Sequence, residues 1–176
     1  MSNFPSLSNA AALLPVLALA MSPVAAHAAP LGPHAAVCAS NAAAVLVHVD
    51  GFRVRSGTLR LQLYTNDPRT YLEKGKYLVR VDVPVTRSGP MEVCLPVTHA
   101  GNYAVSVRHD ANGNGESDRS DGGGFSGNPR VGLTDLAFKR KPDLKKTQFA
   151  VGGATRQINI ILNYVQGLSF GPVSSR

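Results

Sequence analysis

The chain has 176 residues with 18 basic and 11 acidic side chains, so its formal net charge is +7, and 44% of its residues are hydrophobic. This length is too short for two domains of ordinary size. It is long enough for one domain to bury a core without additional covalent staples. The basic excess favours anionic partners, or it serves only to keep the protein soluble.

The first 28 residues have the pattern of a secretory signal peptide. No charged side chain occurs before Asp50, and an apolar run spans residues 10–21. That run is shorter than the roughly 20 residues of a membrane span, and a small-x-small cleavage pattern, Ala26-His27-Ala28, follows it. We therefore expect cleavage after Ala28, a periplasmic or secreted product and no transmembrane segment after cleavage. A buried or anchoring N-terminal helix is the alternative, because the first nine residues lack Lys and Arg.

Short runs of alternating apolar and polar residues follow and predict strands. The alternating apolar positions are Val45, Val47 and Val49; Leu59, Leu61 and Leu63; Val79, Val81, Val83 and Val85; Met91, Val93 and Leu95; Tyr103, Val105 and Val107; Phe149 and Val151; and Ile158, Ile160 and Leu162. Such alternation buries one face of a strand and leaves the other in water, as in antiparallel sheets. With glycine-rich turns between the runs, it predicts an all-β fold, a single antiparallel β-sandwich of about seven strands.

The segments around these strands complete the predicted organisation. We expect an N-terminal lead-in at 29–43, the sandwich at 44–164 and a flexible tail at 165–176. One short helical turn is expected at 67–74, because Asp67 suits an N-cap and the following proline suits the first helical position.

Two cysteines, Cys38 and Cys94, are the only ones in the chain. An even count in an oxidising compartment favours one disulfide. Cys94 lies on the face of its predicted strand opposite Val93, so a bond to Cys38 would fasten the lead-in to the outside of the sandwich. Two separate thiols remain the alternative. A metal site built on these cysteines is not expected, since neither has a Cys or His at ligand spacing.

The segment from Asp110 to Asp121 is an acidic loop in a basic chain. It holds four of the 11 acids and one of the 18 bases, so its formal charge is −3 and that of the remainder is +10. Oxygen-bearing side chains recur at alternate positions before a glycine, which matches the calcium-loop pattern D-x-[DN]-x-[DN]-G. Calcium takes 6–8 oxygen ligands, and a curled loop directs alternate side chains inward. The expected ligands are Asp110, Asn112, Asn114, Glu116 through its carbonyl group, Asp118 and Asp121.

This loop departs from the calcium pattern at its twelfth position. Asp121 stands where a bidentate Glu is expected, so we expect it to bind weakly or not at all. The loop also follows a strand rather than a helix. A polar hairpin tip without metal is the alternative, because Asn112-Gly113 and Asn114-Gly115 are strong turn dipeptides.

Several of these stretches together resemble a known family. The resemblance rests on Gly-Asn-Tyr-Ala-Val-Ser-Val-Arg-His-Asp-Ala-Asn-Gly-Asn-Gly at 101–115, Gly-Phe-Ser-Gly-Asn-Pro at 124–129 and Leu-x-Leu-x-Leu-Tyr at 59–64. Over roughly 45–162, the chain resembles the bacterial exported family catalogued as domain of unknown function 2141. The resemblance implies an immunoglobulin-like or transthyretin-like sandwich and no established activity.

Two further features bear on function. The segment from Gly124 to Asn128 approaches the nucleophile elbow G-x-S-x-G, but Asn128 replaces its last glycine, so a serine hydrolase is not expected. The basic run at 139–146 suits a solvated hairpin tip or a contact with anionic envelope components. Nucleic-acid binding is not expected, because aromatic residues flank this run rather than interleave with it.

The sequence therefore favours an exported, non-enzymatic β-sandwich module that binds calcium at 110–121 and an envelope or extracellular partner, with the basic surface favouring an anionic one. An envelope enzyme with a site near His109 and Ser126 is one alternative. A metal-free structural accessory domain is another. The sequence specifies neither the partner nor the oligomeric state.

Overall fold

The computed structural model describes residues 29–173. The predicted signal peptide at 1–28 lies outside the described residues, as do the last three residues of the predicted tail. Within 29–173, no helix combines the length and apolar character needed to cross a bilayer.

The described residues form ten strands and three short helices. The strands are β1 (Ala44–Asp50), β2 (Thr58–Thr65), β3 (Val79–Pro84), β4 (Met91–Pro96), β5 (Gly101–Asp110), β6 (Gly122–Phe125), β7 (Phe149–Val151), β8 (Arg156–Ile161), β9 (Asn163–Gln166) and β10 (Ser169–Pro172). The helices are α1 (Ala35–Ala39), α2 (Leu133–Ala137) and α3 (Leu144–Thr147).

The strands make two sheets that enclose one core. The smaller sheet has the order β4-β1-β8, and the larger has the order β10-β9-β6-β5-β2-β3, with β7 also pairing with β5. Every strand pair is antiparallel except β1 with β8, which is parallel. Residues contributed to the core include Val45, Val47, Val93, Leu95 and Ile160 from the smaller sheet and Leu59, Leu61, Val81, Val105 and Val107 from the larger one. The predicted all-β sandwich is confirmed.

All seven predicted strands are present, together with three strands that were not predicted, β6, β9 and β10. β6 consists largely of glycine and therefore carries no alternating side-chain pattern. β9 and β10 form a hairpin, in which Ser169 pairs with Gln166. The segment expected to be a loose tail from 165 is thus paired in a sheet through Pro172.

The expected helical turn at 67–74 is present as a run of turns rather than a helix. The Tyr71 amide donates to the Asp67 carbonyl oxygen at 3.0 Å, and the Arg69 amide donates to the Asp67 carboxylate at 2.9 Å. The three helices lie elsewhere, in segments where no helical pattern was identified. They are four or five residues long, too short to carry a periodic signal.

A disulfide joins Cys38 of α1 to Cys94 of β4, with their Cα atoms 5.9 Å apart. This confirms the predicted pairing, and α1 lies on the outer face of the smaller sheet. The Leu31 amide also donates to the Glu92 carbonyl oxygen at 2.6 Å, so the lead-in covers part of the free edge of β4. Closing a loop of 56 residues stabilises the fold by about 4 kcal/mol on the chain-entropy account.

One asparagine covers the free edge of β8 at the other side of the smaller sheet. The Asn128 amide group donates to the Asn159 carbonyl oxygen at 3.0 Å and accepts from the Ile161 amide at 2.9 Å. A single side chain thereby satisfies a donor and an acceptor that a neighbouring strand would otherwise take. Both edges of the smaller sheet are therefore partly blocked against pairing with another strand.

Two of the three glycines of β6 are required, because core side chains lie directly against the strand there. A Cβ atom built on Gly122 would lie 2.4 Å from the ring of Tyr164, and one on Gly124 would lie 2.6 Å from Cγ2 of Ile160. On Gly123 the nearest atom would be the Val107 carbonyl oxygen at 3.6 Å, an ordinary contact. Glycine at 122 thus allows Tyr164 of β9 to pack closely on β6, and glycine at 124 does the same for Ile160 of β8.

We predict that Gly122→Ala and Gly124→Ala each lower the free energy of unfolding by roughly 1–3 kcal/mol, because the added methyl group overpacks the core. Gly123→Ala is the matched control and should leave stability unchanged or raise it by up to about 1 kcal/mol. Urea unfolding of the three variants measures the difference. An equal loss at all three positions would show that the close approach of Tyr164 and Ile160 is not the constraint.

Candidate functional site

The loop of residues 111–121 connects β5 to β6 and is anchored at both ends by buried carboxylates. Asp110 is 5% exposed and Asp121 is 7% exposed, whereas the residues from Asn112 to Arg119 are exposed. The loop therefore rises from a buried base into solvent.

Asp110 gathers the backbone of the first turn. One carboxylate oxygen accepts the Gly113 amide at 2.9 Å, and the other accepts the Gly115 amide at 2.9 Å. Both glycines have positive φ, +72° and +80°, a conformation that suits glycine because it has no Cβ. The carboxylate at the first position of the motif thus faces the interior of the turn.

Asn112 and Asn114 also accept backbone amides of the loop, each from the residue two positions ahead. The Asn112 side-chain oxygen accepts the Asn114 amide at 3.1 Å, and that of Asn114 accepts the Glu116 amide at 2.8 Å. Their NH2 groups both donate to Oδ2 of Asp118, at 2.7 and 3.0 Å. The loop therefore brings Asn112, Asn114 and Asp118 together, as the motif predicts.

The side chain of Asp118 is an ionised carboxylate that accepts hydrogen bonds within this loop. Ser120 donates to its Oδ1 through the hydroxyl group at 2.6 Å and through the amide at 2.7 Å. Hydrogen bonds from the Ser120 hydroxyl group, the Ser120 amide and Asn112 lower the pKa of Asp118 to about 2. This carboxylate is therefore negatively charged at every physiological pH.

Both carboxylate oxygens of Asp121 accept backbone amides of the loop. Its Oδ1 accepts the Ala111 amide at 3.1 Å and its Oδ2 accepts the Asp118 amide at 3.4 Å. These bonds close the base of the loop.

Arg108 is the charged neighbour that the sequence motif did not reveal. Its guanidinium group donates to the Gly115 carbonyl oxygen at 3.0 Å and to the Ser117 hydroxyl group at 3.0 Å. It also lies 3.3 Å from the Asp110 carboxylate. The sequence signal for this contact is the spacing of the two residues: positions 108 and 110 alternate along the strand and therefore lie on the same face of β5. Arg108 offsets part of the negative charge of the loop.

The described residues contain no group of three His, Cys, Asp or Glu side chains placed to hold a metal ion. A cation in this loop would need amide and main-chain oxygens in addition to carboxylates. Asn112, Asn114 and the Glu116 carbonyl group are the available sources.

His109 is fully buried beneath the loop. Its Nε2 lies 2.8 Å from the Ser56 carbonyl oxygen, which only accepts, so Nε2 carries the proton. Its Nδ1 therefore accepts from the Tyr164 hydroxyl group at 2.6 Å. Burial lowers the pKa of His109, so the ring is neutral in the folded protein.

Ser126 is also buried, at 1% exposure. Its hydroxyl oxygen accepts the Val105 amide at 2.9 Å and donates to the Thr147 carbonyl oxygen. Because Val105 and His109 are four residues apart on β5, the contacts of Ser126 and His109 are separated by roughly 13 Å along the strand. The two side chains do not form a nucleophile–base pair, and each has its own structural partners.

Comparison with known proteins identifies one family. A profile described as "uncharacterized protein conserved in bacteria (DUF2141)" matches residues 47–159. The matched region includes the 111–121 loop, the buried side chains of His109 and Ser126, and most of the strands. No curated protein and no solved structure matches the chain.

We predict that acidification destabilises the protein through His109. Because burial lowers the pKa of His109 below the ordinary value of about 6.5, the unfolded chain takes up a proton first. The free energy of unfolding should fall as the pH drops below about 6.5, with a slope of at most about 1.4 kcal/mol per pH unit from this group.

Urea unfolding between neutral and mildly acidic pH measures this slope. His109→Gln should flatten it, and His99→Gln, which removes an exposed histidine, is the control that should not. An unchanged slope in His109→Gln would assign the pH dependence to other groups.

Proposed function

For this chain, which belongs to the bacterial family DUF2141, we propose the function of an exported, non-enzymatic β-sandwich module that binds calcium in the 110–121 loop. The ion stabilises the loop, and the module binds an envelope or extracellular component. The observation that carries the proposal is the convergence of Asn112, Asn114 and Asp118 above the inward-facing carboxylate of Asp110.

The oxygen inventory of the loop supports calcium. The carboxylates of Asp110 and Asp118, the side-chain oxygens of Asn112 and Asn114 and the Glu116 carbonyl group supply at least five donors, and water completes the 6–8 that calcium takes. Oδ1 of Asp110 and the side-chain oxygens of Asn112 and Asn114 each accept one backbone amide, which occupies one lone pair. The second lone pair of each of these three oxygens stays free for a cation.

Ion binding requires one local rearrangement. The NH2 groups of Asn112 and Asn114 donate to Asp118. A calcium ion takes their place as the partner of that carboxylate, while the two amide groups present oxygen to the ion. The rearrangement is confined to exposed side chains, because the Asp110 and Asp121 contacts at the base involve backbone amides.

The non-enzymatic part of the proposal rests on His109 and Ser126. Both are buried, and both have hydrogen-bond partners within the fold. An enzyme using either residue would need a path for substrate through the core. The export part rests on the Cys38–Cys94 disulfide, which is typical of proteins in oxidising compartments.

A metal-free structural module is the second candidate, and Arg108 favours it. The guanidinium group already supplies a positive charge beside Asp110 and a donor to the Gly115 carbonyl oxygen. In that case the loop is a self-contained polar hairpin tip, held by its own hydrogen bonds.

We predict that calcium raises the midpoint of thermal unfolding of the chain from Ala29 onward, relative to chelator. At a free concentration 100 times the dissociation constant, the stabilisation is about 2.7 kcal/mol. Asp118→Ala should abolish the effect, and Glu73→Gln, which changes an exposed acid in another loop, should retain it. Equal midpoints with millimolar calcium and with chelator would reject calcium binding.

The variant Arg108→Gln separates the two candidates further. If calcium binds, removing the neighbouring positive charge should strengthen binding and enlarge the calcium-dependent shift. If the loop is metal-free, the same variant should lower the midpoint equally with and without calcium, because the loop loses its internal cation.

A further inference from the structure

The long connection between β6 and β7, residues 126–148, carries a strongly basic surface. Its six bases stand against two acids, Asp135 and Asp143. Asp135 accepts the Gly132 amide at 2.9 Å and Asp143 accepts the Lys145 amide at 3.0 Å, so both acids cap short helices. The exposed bases are Arg130, Lys139, Arg140, Lys141, Lys145 and Lys146.

Large apolar side chains stand within this basic surface. Phe138 is 71% exposed and Leu136 is 40% exposed, and Lys139 and Arg140 follow directly. The Arg140 guanidinium group lies 5.4 Å from the centre of the Phe138 ring. Scattered exposed apolar residues are ordinary on protein surfaces, but apolar side chains set among several bases are typical of segments that lie on membrane surfaces.

Hydrogen bonds attach the inner side of the connection to the rest of the fold, so its exposed apolar and basic side chains face outward. The Ser126 hydroxyl group donates to the Thr147 carbonyl oxygen, and the Thr147 hydroxyl group donates to the Tyr71 hydroxyl group at 2.9 Å. Lys141 donates to the Tyr71 carbonyl oxygen at 2.9 Å and pairs with Glu73. Lys141 is thus an anchor, and within residues 136–146 the bases left for a partner are Lys139, Arg140, Lys145 and Lys146.

The acidic loop lies at the other end of the same strand. Leu144 packs against Tyr64, Tyr71 and Ala104 near the start of β5, whereas the loop follows Asp110 at its end. Six residues of strand separate Ala104 from Asp110, or roughly 20 Å. This exceeds the Debye length of about 8 Å at physiological ionic strength, so the acidic loop does not neutralise the basic surface.

We propose that residues 136–146 form a docking surface for an anionic lipid bilayer. Phe138 and Leu136 enter the boundary between headgroups and acyl chains, and the four free bases contact lipid phosphates. Lipid is favoured over a soluble polyanion because a polysaccharide or nucleic acid gives an exposed Leu136 nothing to bury against. The inference rests on the proposed binding of an envelope component and names that component, but it does not depend on calcium.

The test is sedimentation of the chain from Ala29 onward with vesicles of phosphatidylcholine alone or mixed with phosphatidylglycerol. We expect binding to the mixed vesicles and at least tenfold weaker binding to neutral ones, since each basic residue near an anionic surface contributes about fivefold in affinity. Equal binding to both vesicles, or binding to neither, would overturn the proposal.

Two pairs of variants divide the surface into its parts. Leu136→Ser with Phe138→Ser removes the apolar side chains, and Lys139→Glu with Arg140→Glu reverses two charges; each pair should weaken binding to the mixed vesicles at least tenfold. The matched controls are Leu168→Ser, at a leucine that is 97% exposed in the β9–β10 turn, and Arg87→Glu, at an exposed base between β3 and β4. Both controls should bind as the unmodified chain does.

Two further measurements keep the outcomes distinct. Binding in the presence of chelator should be unchanged, so a failure of the calcium proposal leaves this one standing. Full vesicle binding by the Leu136→Ser, Phe138→Ser pair would overturn lipid insertion in favour of a charge-only surface. Unchanged unfolding midpoints establish that each variant is folded.

Discussion

The hydrogen bond between His109 and Tyr164 fixes the end of the larger sheet from which the acidic loop rises. It joins β5 to β9 inside the core, and the glycine at 122 leaves the space that the tyrosine ring needs. Arg53 lies over that ring at 4.7 Å and donates to the Ser120 carbonyl oxygen at 2.6 Å, so the far end of the loop is tied to the same centre. The position of the loop therefore depends on one buried, uncharged histidine. The geometry of a surface loop is set here by core packing.

The sequence predicted the strands in which apolar and polar residues alternate, and it missed strands that lack this alternation. Strands with valine or leucine at every second position were identified, and so was the disulfide. β6 was missed because its glycines are selected by what packs against them, namely Tyr164 and Ile160, which are distant in sequence. The candidate site divides in the same way. Asn112, Asn114 and Asp118 converge as their spacing predicts. The hydrogen bonds of Asp121 to the Ala111 and Asp118 amides depend on the folded geometry of the loop.

The charge distribution gives the molecule two chemically different ends. The acidic loop and the basic connection extend from opposite ends of β5, and the strand between them places core residues on its inner face. The proposed calcium ion and the proposed anionic bilayer would therefore bind to separate parts of the same fold. The buried contacts of Ser126 serve this arrangement, because they attach the basic connection to the strand that carries the acidic loop.

The parallel pairing of β1 with β8 has a consequence for how the chain reaches its folded state. β1 is the central strand of the smaller sheet, and its parallel partner begins only at Arg156. A ribosome that has completed the first five strands has released a half-formed sheet whose central strand still exposes one side of its backbone. Contacts this distant in sequence make folding slow. Nascent chains of this protein are therefore expected to leave the smaller sheet incomplete until β8 has been synthesised, and to need protection from aggregation during that interval.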